Sequence, residues 1–435
     1  MRGFLVLFPL FVHMSTAVAN DHVESLTLAV VERQALDLSF NAKTINAELE
    51  AARNKAEAQQ SLLFPKLSLD GTYKFISEVP TLKFPGGATT PFGDHQNYSI
   101  GPTITWNFLD FGSTRKLVGG AESLKASKEA EKHLIERQIL LGARLAYFKI
   151  QLRTEQQRLV TDSLKLAESQ YRDIQRRKNI GSSNRIDLLA AHKEVLNLKL
   201  QSRQLQSDLS LDFRDIYALI GKNESSHVPS SGGVDPIQTS LITLGNYEDA
   251  HFNENALSQH PLVKVHSANA ESLRLISESL KANVLPKLSL FLRSSIDYPN
   301  GPILENINQN TVGLTLSMPL YEGGRSSSEA AEKQNLAVAS DSRREQARID
   351  IYRDWQKAKD QLKGLREKRE IHDDLIKESV ERAKLVYGSY RTGRSSFLEV
   401  QSANLHALEA KVQATTNDVQ ILIQLAHLAS MSEEQ

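Results

Sequence analysis

Phe64-Pro65-Lys66-Leu67-Ser68-Leu69-Asp70 occurs a second time in this chain, as Leu285-Pro286-Lys287-Leu288-Ser289-Leu290-Phe291. The copies lie 221 residues apart, too far for a solenoid repeat and suited to a duplicated half. Other landmarks recur in the same order. Gly101-Pro102-Thr103-Ile104-Thr105 matches Gly313-Leu314-Thr315-Leu316-Ser317, and Gly181, six residues before Asp187, matches Gly393, six before Glu399. Both of these offsets are 212 residues, so the first half carries nine extra residues between its first two landmarks.

The repeated stretch opens a segment whose polarity alternates with period two. Leu67, Leu69, Gly71, Tyr73 and Phe75 alternate with Lys66, Ser68, Asp70, Thr72 and Lys74. Tyr98, Ile100, Pro102, Ile104, Trp106 and Phe108 alternate with small and polar residues, and so do Leu288, Leu290, Leu292 and Ile296, and Val312, Leu314, Leu316, Met318 and Leu320. Successive strand side chains point to opposite faces. The pattern therefore predicts four strands of about ten residues with one apolar and one polar face, the dyad signature of an outer-membrane barrel. An antiparallel soluble sheet gives the same alternation. The connections 76–97 and 297–310, rich in Pro and Gly, read as loops.

Elsewhere the period is helical. Leu26 to Gln60 reads as one amphipathic helix. Arg115 to Lys178 is free of proline, long enough for a helix of about 96 Å. Its Leu134, Leu141, Leu145, Phe148, Leu152, Leu159 and Leu166 follow a seven-residue pattern, as do Leu188, Ala191, Val195, Leu198, Ser202, Leu205 and Leu209 after Gly181-Ser182-Ser183. The second half repeats this along 325–391 and back through Leu398, Leu405, Leu408, Val412, Thr415, Val419 and Leu422. Sustained spacing of three and four predicts supercoiled helical hairpins. Gly181 and Gly393 sit where left-handed C-caps belong, and Ser183 and Ser395 where return-helix N-caps belong.

Composition narrows the function classes. Lys+Arg and Asp+Glu are both 52, and the one basic triplet, Arg176-Arg177-Lys178, reads as a solvated helix end rather than a nucleic-acid contact. Arg2, the apolar run Phe4 to Val12 and the small-x-small site Ala17-Val18-Ala19 predict an export signal cleaved between Ala19 and Asn20. With no cysteine, a lipidated Cys, a disulfide and a thiolate metal site are all excluded. His251, His260 and His266 lack metal-ligand spacing, and neither the Gly119-Gly120 and Gly323-Gly324 pairs nor the serines have the surroundings of a phosphate loop or a nucleophile. The sequence predicts neither an enzyme nor a cofactor.

Four strands cannot close a membrane barrel, since the smallest need about eight, and an open edge in lipid leaves backbone groups unpaired. If the strands lie in a membrane, copies of the chain must therefore share a barrel. A duplicated order of helix, Pro-led strand, loop, Gly-x-Thr-x-Thr/Ser strand, Gly-containing corner and Gly-tipped hairpin resembles the TolC family of outer-membrane efflux proteins over about residues 26–220 and 247–430. The resemblance implies a mostly α chain with a small β part, its long coiled-coil hairpins forming an α-barrel in the periplasm. Its four strands would join a shared twelve-strand barrel in outer-membrane lipid as part of a homotrimer. The partners implied are a periplasmic membrane-fusion adaptor, docking on the tips at Gly181, Ser182, Ser183, Gly393, Ser395 and Ser396, and an inner-membrane transporter. The activity implied is efflux or type I secretion of small molecules or proteins. The alternative is a soluble periplasmic coiled-coil adaptor or scaffold whose strands form a small sheet.

The resemblance also places a gate near the tips, at Asp187, Glu399, Tyr390 and Arg394, with the second hairpin carrying more of the closure. Rings of carboxylates there would draw cations. An acidic residue in a first helical turn is equally explained by the helix dipole, and Ser402 and Ser395 depart from the family pattern. The chain divides as signal 1–19, N-terminal helix 20–64, first strand pair 65–110, first hairpin 111–220 and linker or equatorial region 221–247. The second half follows with a helix in 248–285, strands in 286–322, a hairpin in 323–430 and a short tail, 431–435.

Overall fold

The structure is a computed structural model that describes residues 26–87, 89–220 and 254–432. The signal segment with Ala19 and Asn20, His251 and the linker 221–247 lie outside the described residues.

Two helices of equal length dominate, α3 (Ser113–Asn179) and α7 (Arg325–Arg391), each of 67 residues. At 1.5 Å per residue each runs about 100 Å. Their return partners, α4 (Arg185–Leu219) and α8 (Phe397–Met431), are also equal at 35 residues. Along the other half of their length, α3 and α7 are accompanied by α2 (Phe40–Gln60) and α6 (Pro261–Ala282), with short α1 (Leu28–Leu38) and α5 (Glu254–Gln259) beside them. The expected single helix over 26–60 is two helices. Ser39 has extended backbone (φ −60, ψ 130), and its hydroxyl accepts from Asn41 N–H at 3.2 Å, so a local cap replaces one turn of the ladder.

The sheet contains β1 (Lys66–Phe75), β4 (Gln96–Leu109), β5 (Lys287–Tyr298) and β6 (Ile307–Ser317), antiparallel in that order. The loop between β1 and β4 holds a small hairpin of its own, β2 (Thr81–Lys83) with β3 (Thr89–Pro91). Register places Leu69 opposite Pro102, Ile104 opposite Leu292, and Leu290 between Trp106 and Leu314. One apolar face thus runs across all four strands, with Leu67 and Leu69 more than two-thirds exposed. The reverse face aligns Ser68, Thr103, Arg293 and Thr311. Met318 and Leu320 lie beyond β6, and a bulge displaces Phe108 from the ladder.

The two glycines matched by the duplication are both sites of close approach to β5. A Cβ on Gly101 would meet the Ser294 carbonyl oxygen at 2.0 Å, and one on Gly313 would meet the Phe291 ring at 2.4 Å. Phe291 therefore lies over the backbone of β6 on the otherwise polar face.

The main core lies where the hairpins meet α1, around Tyr147, Phe148, Phe213, Ile216, Trp355, Leu362 and Leu422. Beside it, α3 and α7 grip α6 through small residues whose hydroxyls donate across the interface: Ser272 to Gly120 O at 2.6 Å, Ser277 to Ala330 O at 2.7 Å, and Ser340 to His266 O at 2.9 Å. The seam of α4 follows the expected positions, with Ala191, Val195, Leu198, Leu205 and Leu209 buried. On α3 and α8 the expected Phe148, Leu159, Leu408, Val419 and Leu422 are buried as well, and the seam shifts only near the tips. Leu166, Leu398 and Leu405 are exposed, while Val160, Ala167, Phe397, Val400 and Ala403 take the seam. Smaller Ala and Val side chains let the helices approach, which a count of leucines does not reveal. No helix among the described residues is long and apolar enough to cross a membrane.

Candidate functional site

The site is built at the far end of the hairpins, where each chain reversal is fixed by one glycine. Gly181 (φ 78) and Gly393 (φ 77) adopt the left-handed conformation that disfavours a side chain. Two backbone bonds close each turn: Gly181 N–H to Lys178 O and Ser182 N–H to Arg177 O, and likewise Gly393 to Tyr390 and Arg394 to Ser389. This is the Schellman pattern. The N-caps sit one residue later than Ser183 and Ser395. Asn184 accepts from Asp187 N–H at 2.7 Å, and Ser396 accepts from Glu399 N–H at 3.3 Å. The expected positions are one short because the Schellman turn uses that residue to reverse the chain.

The side chains then tie one hairpin to the other. Tyr390, on the last turn of α7, donates its hydroxyl to Asp187 on the first turn of α4 at 3.2 Å, with Ser183 Oγ 3.3 Å from the same hydroxyl. One turn back on the same face, Tyr387 donates to Asp173 of α3 at 3.0 Å. Arg177 pairs with Asp173 at 3.1 Å and also donates to the Arg391 carbonyl at 3.1 Å. Arg177 is therefore a cross-hairpin donor at a helix C-terminus, where orphan carbonyls favour a cation, rather than part of a solvated end. Beneath these bonds Ile174, Ala191, Tyr390, Phe397 and Val400 form a small core shared by both hairpins. Burial, and then its bond to Asp173, pushes the Tyr387 hydroxyl up to about 12. Burial also raises Tyr390, with the Asp187 charge adding to it. Both hydroxyls stay protonated donors at neutral pH.

Of the expected gate residues, Asp187 and Tyr390 are brought together. Glu399 and Arg394 are exposed and form no ion pair among the described residues. Tyr387, Asp173 and Arg177 were missed; the signals were Tyr387 and Tyr390 three apart on one helix, and Asp173 with Arg177 four apart. Away from the tips, His260 caps α6, its Nδ1 accepting from Leu262 N–H at 3.2 Å, and among the described residues no group of side chains is arranged to hold a metal ion.

A sheet with one lipid-compatible face, coupled to long hairpins tied at their tips, is the geometry of a channel subunit. The model of the outer membrane efflux protein family matches residues 32–222 and 253–432, most of both halves. The chain belongs to that family. As a member of the outer membrane efflux proteins it is a channel protein, with strands in the outer membrane and helices in the periplasm. The chain is also similar, at 20% identity over 378 residues covering 86% of this chain and 80% of the relative, to the probable outer membrane lipoprotein SilC of Salmonella typhimurium. Solved structures with the same fold include CusC (TM-score 0.78, 15% identity, covering 94% of this chain and 92% of its own) and the outer-membrane channel OprN (TM-score 0.76, 16% identity, 93% and 89%).

Proposed function

We propose that three copies of this chain close one efflux channel, with the tied hairpin tips as its periplasmic gate. The observation that carries this reading is the pair of open edges. Within one chain the sheet ends at β1 and β6, and strands in lipid must find partners for those edges. Because the four strands alternate in direction, β6 of one copy meets β1 of the next antiparallel, and the ring closes without a mismatch. The helices end the same way. The layer runs α4, α3, α8, α7, and its two outer helices carry exposed apolar stripes, Leu189, Leu196 and Leu200 on α4 and Ile371, Leu375 and Leu385 on α7. Such faces call for a neighbour. Three copies, as the family resemblance implies, supply three times four strands.

In that ring Asp187 from each copy lies close to the axis, and exposed Glu399 and Arg394 are available to pair with adjacent copies. The hairpin tips 181–183 and 393–396 are the docking surface for a periplasmic adaptor serving an inner-membrane transporter. Planar-bilayer recording tests the channel: the protein should conduct, and trivalent cations on the periplasmic side should block through the carboxylates. Release of the protein into the soluble periplasm without detergent, with no conductance, would favour the scaffold reading instead.

A further inference from the structure

Above the tips, the two hairpins of a single copy diverge and leave a groove of about 1000 Å³, at the upper end of what small-ligand sites enclose. Its apolar surface includes Leu166, Leu398 and Leu405, the leucines that the coiled-coil seam leaves exposed. Its ionisable lining is unbalanced. Lys193, Lys384 and Lys411 stand at the groove against one carboxylate, Glu194. Lys384 is held only at 3.8 Å by exposed Glu381. Lys193 and Lys411 pair with no carboxylate among the described residues, although Lys411 is half-buried. The polar groups at the groove's base are already satisfied: Asn404 donates to Gln170 at 3.0 Å and Gln401 to the Ala190 carbonyl at 3.0 Å.

We infer that this groove binds a small amphipathic anion, an alkyl carboxylate or its equivalent, with the chain along Leu166, Leu398 and Leu405 and the headgroup between Lys193 and Lys411. The charge excess selects an anion over a cationic amphiphile, and the exposed leucines select an apolar body over a free inorganic ion. Because the groove lies within one copy, the inference does not rest on the channel reading. Loss of binding with conductance intact would sink the inference alone.

The test uses 8,8,8-trifluorooctanoate and fluorine NMR on the full chain in lipid nanodiscs, with empty nanodiscs subtracted. Saturable line broadening is expected. The double reversal Lys193→Glu and Lys411→Glu should weaken it at least about tenfold, and Glu194→Gln should tighten it about threefold. The chain has no cysteine, so a nitroxide on Ala190→Cys reports position: it should broaden the ligand resonance, whereas one on Ser68→Cys in the sheet should not. Should the double reversal fail to assemble, Lys411→Gln alone should still weaken binding about threefold. Binding no greater than that of empty nanodiscs, equal binding by the lysine variants, no effect of the Ala190→Cys label, or equal binding of the matching alkyl trimethylammonium would each overturn the inference.

Discussion

Replacing Tyr387 and Tyr390 together by Phe removes the two tyrosine hydroxyls that tie the hairpins while leaving both rings against the Ile174 and Phe397 core. A hydrogen bond to a charged group is worth about 1.5–3 kcal/mol net, and because the accepting carboxylates of Asp173 and Asp187 are only partly buried these bonds belong at the lower end. The pair then contributes about 3 kcal/mol, and its loss shifts the closed-to-open ratio by roughly a hundredfold. Single-channel recording should show open probability rising accordingly, with unit conductance unchanged because the barrel is untouched. The wild type has an alkaline counterpart. The Tyr387 hydroxyl is raised from 10.0 to about 12, and a group whose folded pKa is raised stabilises fully below its ordinary value and loses that effect as pH rises. Closure should therefore hold to about pH 10 and weaken toward pH 12, and the Tyr387 share of that change should vanish in Tyr387→Phe. Wild-type open probability in the double variant would refute the tip as the latch.

Other consequences follow from the same geometry. Gly101→Ala forces a Cβ against backbone on β5 and should cost about 3 kcal/mol or more, read as loss of the assembled species on heating in semi-native gels. Gly313→Ala meets a side-chain ring instead, so Phe291→Ala should rescue it. Arg at Leu69 or Leu290 on the apolar face should cost about 2–4 kcal/mol near mid-membrane, and far less at Thr103 or Thr315. His260 is buried as a neutral cap with its pKa lowered to about 4. Its contribution is present above pH 6.5 and lost as pH falls toward 4, up to about 3 kcal/mol. His260→Asn, which keeps an N-cap, should flatten that acid limb in thermal melts.

What the sequence made legible was whatever has a period or a special residue. The strand faces followed from alternation at Leu67, Leu69, Ile104 and Leu290, and the hairpin reversals from Gly181 and Gly393. What it hid depends on two segments meeting. The seam's move from Leu398 and Leu405 to Phe397, Val400 and Ala403 reflects helix separation, which no single helix encodes. The split at Ser39 turns on a hydroxyl choosing a local bond. Tyr387 and Asp173 are 214 residues apart in sequence, so their union awaited the packing of the two halves. Asp187 acquired its partner in the same way, while Glu399, its duplicate, keeps a helix cap and gains no such partner among the described residues.

Electron cryomicroscopy of the full protein in lipid nanodiscs shows whether other copies of the chain close its open edges. A threefold particle is expected, in which β6 of each copy pairs antiparallel with β1 of the next and α7 packs on α4 of its neighbour. A particle in which β1 and β6 of one chain pair with each other, or in which the sheet lies outside the bilayer, would contradict it.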